Sequence, residues 1–447
     1  MEVQKDLTTG NPSRTLVSFA IPFFIANLLQ ALYGMVDLLI VGRFTSGPID
    51  SAAVANGTQV LMLATFFLTG LTTGATVVIG NYFGAKDSDK LRKAIGTMLS
   101  GFCLFTLLLM AFLFYFTPAL VRFLNTPAQA VEKTVEYVEI CTAGLLFVYG
   151  YNAFSAILRG VGNSFLPMVF IGIACVCNIV IDLILVGGYG MGPAGAAYAT
   201  IGSQAISMMC AFGYLKYQKT LFDFKLASLK IDPRTAWTLF SIGFPLAIQS
   251  TIIDLSFMLI FAFVNKFGVA ASAGYGICCR LNGILLLPAV SLAMALTPII
   301  AQNLGAGKHD RALRFLKLSA TYATAVGVLL FCWMQFFPEP AFALFTNDPE
   351  VIRQGALYMR GFCYDALVLG FVFSGNGFLN GSGHTRFSLV NNLIPTFLVR
   401  VPFAWYISTM PEATLYGIGL AAPLASFLSI FITLTYLATG RWKLSRI

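Results

Sequence analysis

Apolar runs of about twenty residues, parted by short polar breaks, recur along the whole chain. The first is FAIPFFIANLLQALYGMVDLLIVG. Twelve runs follow this pattern, starting near Thr15, Ser51, Ala94, Val135, Phe165, Gly195, Thr235, Ala271, Leu318, Gly355, Phe387 and Leu415. Each is close to the roughly 20 residues a helix needs to cross a bilayer. The pattern predicts an all-α polytopic membrane protein with twelve transmembrane helices. The segment before the first run, MEVQKDLTTGNPSR, is short and polar, so no cleavable signal is expected. The breaks leave no room for an extra soluble domain.

The pattern is written twice, at a shift of about 220 residues. VSFAIPFFIANLLQ matches LFSIGFPLAIQSTI, with Pro22 on Pro245. NYFGAKDSDKLRKA (from Asn81) matches NLGAGKHDRALRFL (from Asn303), and LRGVGNS (from Leu158) matches LNGSGHT (from Leu379). Six spans per copy is an even number, so both copies enter the membrane from the same side. Such a repeat is parallel, about an axis along the membrane normal. The expected organisation is a six-helix lobe over 1–215, a basic linker over 216–234 and a second six-helix lobe over 235–447. Two lobes facing one another across a cleft is a transporter plan. In the linker, Leu221, Phe222 and Phe224 stand between basic residues, which suits either the membrane surface or a solvated connection. Pro22 and Pro245 each remove a helical hydrogen bond and favour a bend; Pro22 is the candidate hinge.

Composition agrees with this reading and adds orientation. The 447 residues are 57% hydrophobic and 11% charged, where a soluble chain carries about a quarter charged residues. The net charge of +9 would suit a nucleic-acid binder, but its distribution argues otherwise. Twenty of the 28 lysines and arginines fall on one side when the termini share that side with the even-numbered loops. That bias places both termini in the cytoplasm of a plasma (inner) membrane protein. The nine cysteines lie in apolar runs and read as small buried hydrophobes. His309 and His384 both fall in loops, so no histidine-held metal centre and no cofactor are expected.

Two aspartates interrupt the apolar runs. Asp37 lies in the first span and Asp182 in the fifth. A carboxylate at mid-membrane costs roughly 2.5–3.5 kcal/mol on insertion scales and commonly marks an ion or proton path. Asn27, Gln30, Tyr33 and Asp37 recur at steps of three or four and share one helix face. Asn178 and Asp182 stand one above the other, and the sixth span adds Thr200, Ser203 and Gln204. Such oxygens could ligate Na⁺ or share a proton. No arginine of the first lobe lies near mid-membrane. At the local shift Asp37 falls on Ile260 and Asp182 on Phe403, so the second lobe does not reproduce the pair. Its own acids are Asp254 and Asp365, with Arg280, Arg360 and Arg400 nearby; ion pairing there is expected, with a secondary cation or substrate role as the alternative. Asn152, Asn282, Asn376 and Asn380 are further polar groups that most often satisfy neighbouring helices.

With these residues in view, the chain resembles the MATE (multidrug and toxic compound extrusion) family over nearly its whole length. The specific marks are the proline-led first span with Asp37, the ALTPIIAQNLGAGKHDRAL stretch from Ala295, LRGVGNSFLPM from Leu158 and the Asn178–Asp182 pair. The match is nearest the DinF-type branch. The resemblance implies that Asp37, Asn178, Asp182 and Thr200 form a cation site, and that Gln30 and Tyr33 lie near substrate; Asn152 is a further cleft candidate. Asp254 and Asp365 are displaced from the acids of the NorM-type branch, so that site is not carried over. The expected activity is antiport of small organic cations against Na⁺ or H⁺ by a monomer among membrane lipids, with no nucleic-acid partner.

Two other readings compete. A flippase of a lipid-linked saccharide would want a basic cleft, and the deepest first-lobe charges are acidic. A membrane enzyme would want a Ser/His or His/Asp constellation, which two loop histidines do not supply. No Gly-x₄-Gly-Lys-Ser/Thr loop for nucleotide is present.

Overall fold

The computed structural model describes residues 4–45, 48–124, 126–218, 222–225 and 228–444. They are mainly helical, with no strand among them. Among the described residues nine helices are long and apolar enough to cross a membrane, and two bent pairs raise the number to eleven. The remaining expected span, the sixth, corresponds to Gly192–Gln218, a 27-residue helix rich in glycine, alanine and serine.

The chain forms two compact units, and their membership differs from the expected lobes. The first takes residues 1–6 and 25–247, the second 7–24 and 248–447. The first helix, α1 (Pro12–Phe44), changes unit two residues past Pro22. The helix over Pro233–Val264 does so two residues past Pro245. The linker therefore belongs to the first unit, and each unit holds the opening turns of the other repeat's first span.

Packing explains the exchange. In the first unit, α2 (Pro48–Gly84), α3 (Ser88–Phe123), the bent pair α4 (Val131–Ala143) and α5 (Leu145–Gly160), α6 (Phe165–Asp182) and α7 (Gly192–Gln218) join the later part of α1. The opening turns of α8 (Pro233–Val264) cross α2 backbone to backbone. A Cβ on Gly70 would lie 2.4 Å from the Ala247 nitrogen, and one on Gly74 2.5 Å from the Gly243 Cα. Only small residues allow that approach. The linker is laid on protein: Phe222 is buried, and Phe222, Phe224 and Phe212 stack edge to face at 5.2 and 5.4 Å. Ser100 donates to the Leu229 carbonyl at 2.8 Å. Leu221 lies outside the described residues.

The second unit contains the rest of α8, the pair α9 (Val269–Leu285) and α10 (Leu287–Gly305), α11 (His309–Phe336), the short α12 (Glu339–Ala343), the bent pair α13 (Pro349–Phe362) and α14 (Tyr364–Gly381), α15 (Thr385–Pro395), α16 (Val401–Ser408), α17 (Leu415–Gly419) and α18 (Ala421–Ala438). Leu16, Phe19, Ala20 and Phe23 from the opening of α1 are buried here among Ala295, Ile299, Phe315 and Phe378. The segment before α1 is held too. Leu7 N–H donates to Gln302 at 3.0 Å, and the Lys308 ammonium donates to the Thr8 carbonyl at 2.9 Å.

The repeat is visible in the turns, at a shift of 221. Lys86 (φ 59°) matches Gly307 (φ 70°), and Gly162 (φ 88°) matches Gly383 (φ 76°). The hydrogen bonds repeat as well: Lys86 N–H to Phe83 and Asp87 N–H to Tyr82 become Gly307 N–H to Leu304 and Lys308 N–H to Asn303. Asn303 thus matches Tyr82, one residue away from the Asn81 that letter similarity suggests. Backbone conformation sets the register, because the left-handed position must coincide.

Candidate functional site

The site lies wholly in the first unit, between the later part of α1 and the end of α6. α6 rests on α1 near Leu29: the Cys175 thiol approaches its carbonyl at 3.7 Å, and a Cβ on Gly172 would touch its side chain at 3.8 Å. From there α1 and α6 carry Asp37 and Asp182 together. The two carboxyl groups lie at hydrogen-bonding range of each other. Asp182 is fully buried, Asn178 is 1% exposed and Asp37 is 9% exposed. Val36, Ile40, Val41, Ile179 and Val186, near the pair along α1, α6 and the residues that follow it, belong to one apolar cluster.

These polar groups lack the partners that buried groups ordinarily find. Both Asp182 oxygens, Asp37 Oδ1, and both the oxygen and nitrogen of the Asn178 amide have no hydrogen-bond donor or acceptor beyond the facing carboxyls. Among the described residues the ion pairs are Lys90–Asp87, Lys133–Asp50, Arg353–Glu350 and Arg360–Glu339, and none reaches Asp37 or Asp182. Two facing carboxyl oxygens are both acceptors unless a proton or a cation sits between them. The arrangement is chemically complete only when loaded. Its donors are hard oxygens, which suit Na⁺ or a proton.

α6 ends at Asp182 and runs on as a π-helical turn over Leu183–Gly188. A second π turn, Thr396–Arg400, ends at the half-buried Arg400. Such turns frequently sit at functional positions. Neither was anticipated, since apolar periodicity does not distinguish an extra residue in a turn. Tyr137 and Cys141 on α4 are buried and close enough to Asp37 to interact with its charge. Nothing in their apolar run marks them.

The other expected residues fall at varied distances from this centre. Thr200 lies on α7, where Gly202 packs against Ile181, the residue before Asp182. Among the described residues no hydrogen bond joins Thr200 to either aspartate; its carbonyl accepts from Ser203 Oγ at 2.8 Å. Gln204, one turn on, keeps a buried Oε1 without a donor. Tyr33 is half-buried and Gln30 exposed on the α1 stripe. Asn152 turns its amide back to the Val148 carbonyl of its own helix at 2.8 Å. Pro22 is buried inside α1.

In the second unit the expected ion pairing does not form among the described residues. Asp365 is buried and bonds Ser426, and its Oδ1 has no partner. Arg400 donates to Ser256 Oγ at 3.0 Å and lies 4.2 Å over the Phe257 ring. Arg360 pairs with Glu339 at 2.7 Å, while Arg280 is exposed and Asp254 half-buried. Arg360 is held by Glu339 at the start of α12, and Arg400 rests on a hydroxyl and a ring with its Nε left without a partner.

The family model described as MatE matches this chain twice, over residues 22–184 and 245–406. The chain belongs to the MatE family. The two matches begin at Pro22 and Pro245, so the family unit is the repeat itself. A MatE chain is a multi-pass membrane protein of transporter fold. Among its relatives is the probable multidrug resistance protein YpnP of Bacillus subtilis, 28% identical, covering 98% of this chain and 97% of the relative. Another is the FAD transporter of Shewanella oneidensis, 26% identical over 96% and 95%. A solved structure described as an outward-facing multidrug resistance MATE family transporter superposes with a TM-score of 0.89 at 20% identity, covering 99% of this chain and all of that one. A MATE in the bent conformation gives 0.90 at 20% identity over 97% of each chain. These solved relatives share the all-α fold of two six-helix lobes.

Proposed function

We propose that this protein is a cation-coupled antiporter that exports small organic cations across the plasma membrane by alternating access of its two lobes. The observation that carries the reading is the facing, otherwise unpartnered pair Asp37–Asp182 with Asn178 beside it. Na⁺ or H⁺ would load this group, with Thr200 as a further ligand. A coupling ion does work only when its affinity differs between the two facing states. The basic bias of one set of loops supports cytoplasmic termini. Similarity to relatives named as multidrug resistance proteins supports a drug substrate, and the one named as an FAD transporter widens the class to flat aromatic solutes. Abundant Phe, Tyr and Met suit such solutes through stacking and cation–π contact. The test is efflux of ethidium, and separately of FAD, from proteoliposomes under an imposed Na⁺ or H⁺ gradient. Export driven by at least one gradient is expected. Export with neither would sink the reading.

A further inference from the structure

The segment ahead of α1 is tied down residue by residue. Leu7 and Thr8 are buried. Beside the Leu7 N–H bond to Gln302, Asn303 Nδ2 donates to the Leu7 carbonyl at 3.3 Å. The Lys308 ammonium meets the Thr8 carbonyl at 2.9 Å and its hydroxyl at 3.1 Å. Arg311 donates to the carbonyls of Thr9 and Gly10. Asn11 then caps α1, accepting from Ser13 N–H at 2.9 Å, and the Ser13 hydroxyl lies 2.6 Å from the Tyr322 hydroxyl of α11. Gln302, Asn303, Lys308 and Arg311 form the seat of this segment. All four come from the QNLGAGKHDR stretch, whose polar residues the ion site does not use.

The repeat shows that the scaffold does not require this seat. At the shift of 221, the four residues fall on Asn81, Tyr82, Asp87 and Lys90. Asp87 caps α3, accepting from Lys90 N–H at 3.0 Å. Lys308 stands in the same place ahead of α11 and makes no side-chain cap. The exchange forfeits a cap and sets a cation at the positive end of a helix, and both are unfavourable. A local rule broken in one copy of a repeat marks a residue kept for another purpose. Here the ammonium is spent on Thr8.

The seat adds direction to the hold on α1. Leu16, Phe19, Ala20 and Phe23 bury the opening of the helix, but apolar burial is non-directional. Hydrogen bonds fix distance and angle. α1 runs as one helix from Pro12 to Phe44. Its height and rotation at Pro12 therefore set those of Asp37, roughly 38 Å further along at 1.5 Å per residue.

We propose that the seat fixes the register of α1 and so holds Asp37 against Asp182. Lys308 and Arg311 are then positioning residues for ion coupling that touch neither ion nor solute. The proposal rests on the antiporter reading only where transport is the readout.

Labelling of the purified full chain by dicyclohexylcarbodiimide, an apolar reagent for membrane carboxyl groups, reads the pair without transport. A carboxyl held against its neighbour is shielded from the reagent, and one released from it is not. Lys308→Asp copies the cap of α3 and takes the ammonium from Thr8. Its melting temperature should hold or rise, while Asp37 labels about fivefold faster or more, the lower end of ordinary coupling between sites. Asp365, also buried and in the second unit, is the internal control and should label at the wild-type rate. Arg311→Met should act in the same direction, and decides the matter if Lys308→Asp does not fold. Lys308→Arg should keep the wild-type rate. In proteoliposomes Lys308→Asp should raise the coupling-ion concentration for half-maximal efflux by a similar factor. Unchanged Asp37 labelling in the folded seat variants overturns the proposal. So does a rise shared by Asp365, which is general loosening. Wild-type export that ignores both gradients would sink the antiporter reading alone, because the labelling contrast stands without it.

Discussion

Asp37 on α1 and Asp182 on α6 turn their carboxyl groups toward each other, and among the described residues no lysine or arginine pairs with either. Buried acids of this kind are seldom structural. Replacing either by asparagine keeps the size and removes the charge. Asp37→Asn and Asp182→Asn should each cut gradient-driven efflux to about a tenth or less, within the usual range of coupling energies. Membrane insertion and the melting temperature should hold. Efflux assays beside thermal melts check both, and full transport by Asp37→Asn would remove the pair from the mechanism.

The α2–α8 crossing makes a stability prediction. A Cβ on Gly74 would press on the Gly243 backbone at 2.5 Å, which cannot move aside as a side-chain end can. Gly74→Ala should therefore destabilise by roughly 1–3 kcal/mol, the usual cost of overpacking. Gly101 sits in a helix with nothing within 4 Å of its Cβ position. Gly101→Ala should be neutral or slightly stabilising. Detergent-solubilised melts of the two proteins measure the contrast.

Much of this molecule is legible in the chain, for physical reasons. Bilayer thickness fixes run length, so span starts such as Phe165 and Leu415 coincide with helix starts. The energetic anomaly of a buried acid singles out Asp37 and Asp182, and only the fold shows that they face each other. The unit boundary was not readable. It depends on which surface buries Leu16 and Phe19, or accepts Gly243, and that is tertiary information. The seat of the segment ahead of α1 was hidden for the same reason. Lys308 looks like any loop cation until Thr8, 300 residues earlier, is placed beside it.

Outside the apolar spans, Asp50 at the start of α2 makes an ion pair with Lys133 at 2.5 Å, with 8% of the aspartate side chain and 49% of the lysine exposed. Lys133→Met leaves a buried carboxylate without its cation. The cost of breaking a buried pair is offset by the half-exposed lysine, so about 1–2 kcal/mol is expected. Arg353→Met, which breaks a pair exposed on both sides, should cost less. A melt series with both variants ranks them; an equal or reversed order would contradict the burial argument.

Asp232, at the polar entrance to α8, accepts from the Thr235 hydroxyl at 2.7 Å and from its amide at 2.8 Å. Those hydrogen bonds hold its carboxyl below the usual carboxylate range. A depressed folded-state value means the contribution is fully present above the ordinary aspartate range and is lost as pH falls through the folded value. The advantage of wild type over Asp232→Ala in melting temperature should therefore be greatest near neutral pH and shrink on acidification toward pH ~3. Asp232→Ser, which keeps a capping oxygen without the charge, should show a smaller and flatter deficit across the same range. A wild-type advantage that grows as the pH is lowered would show that the ionised carboxylate is not what caps the helix.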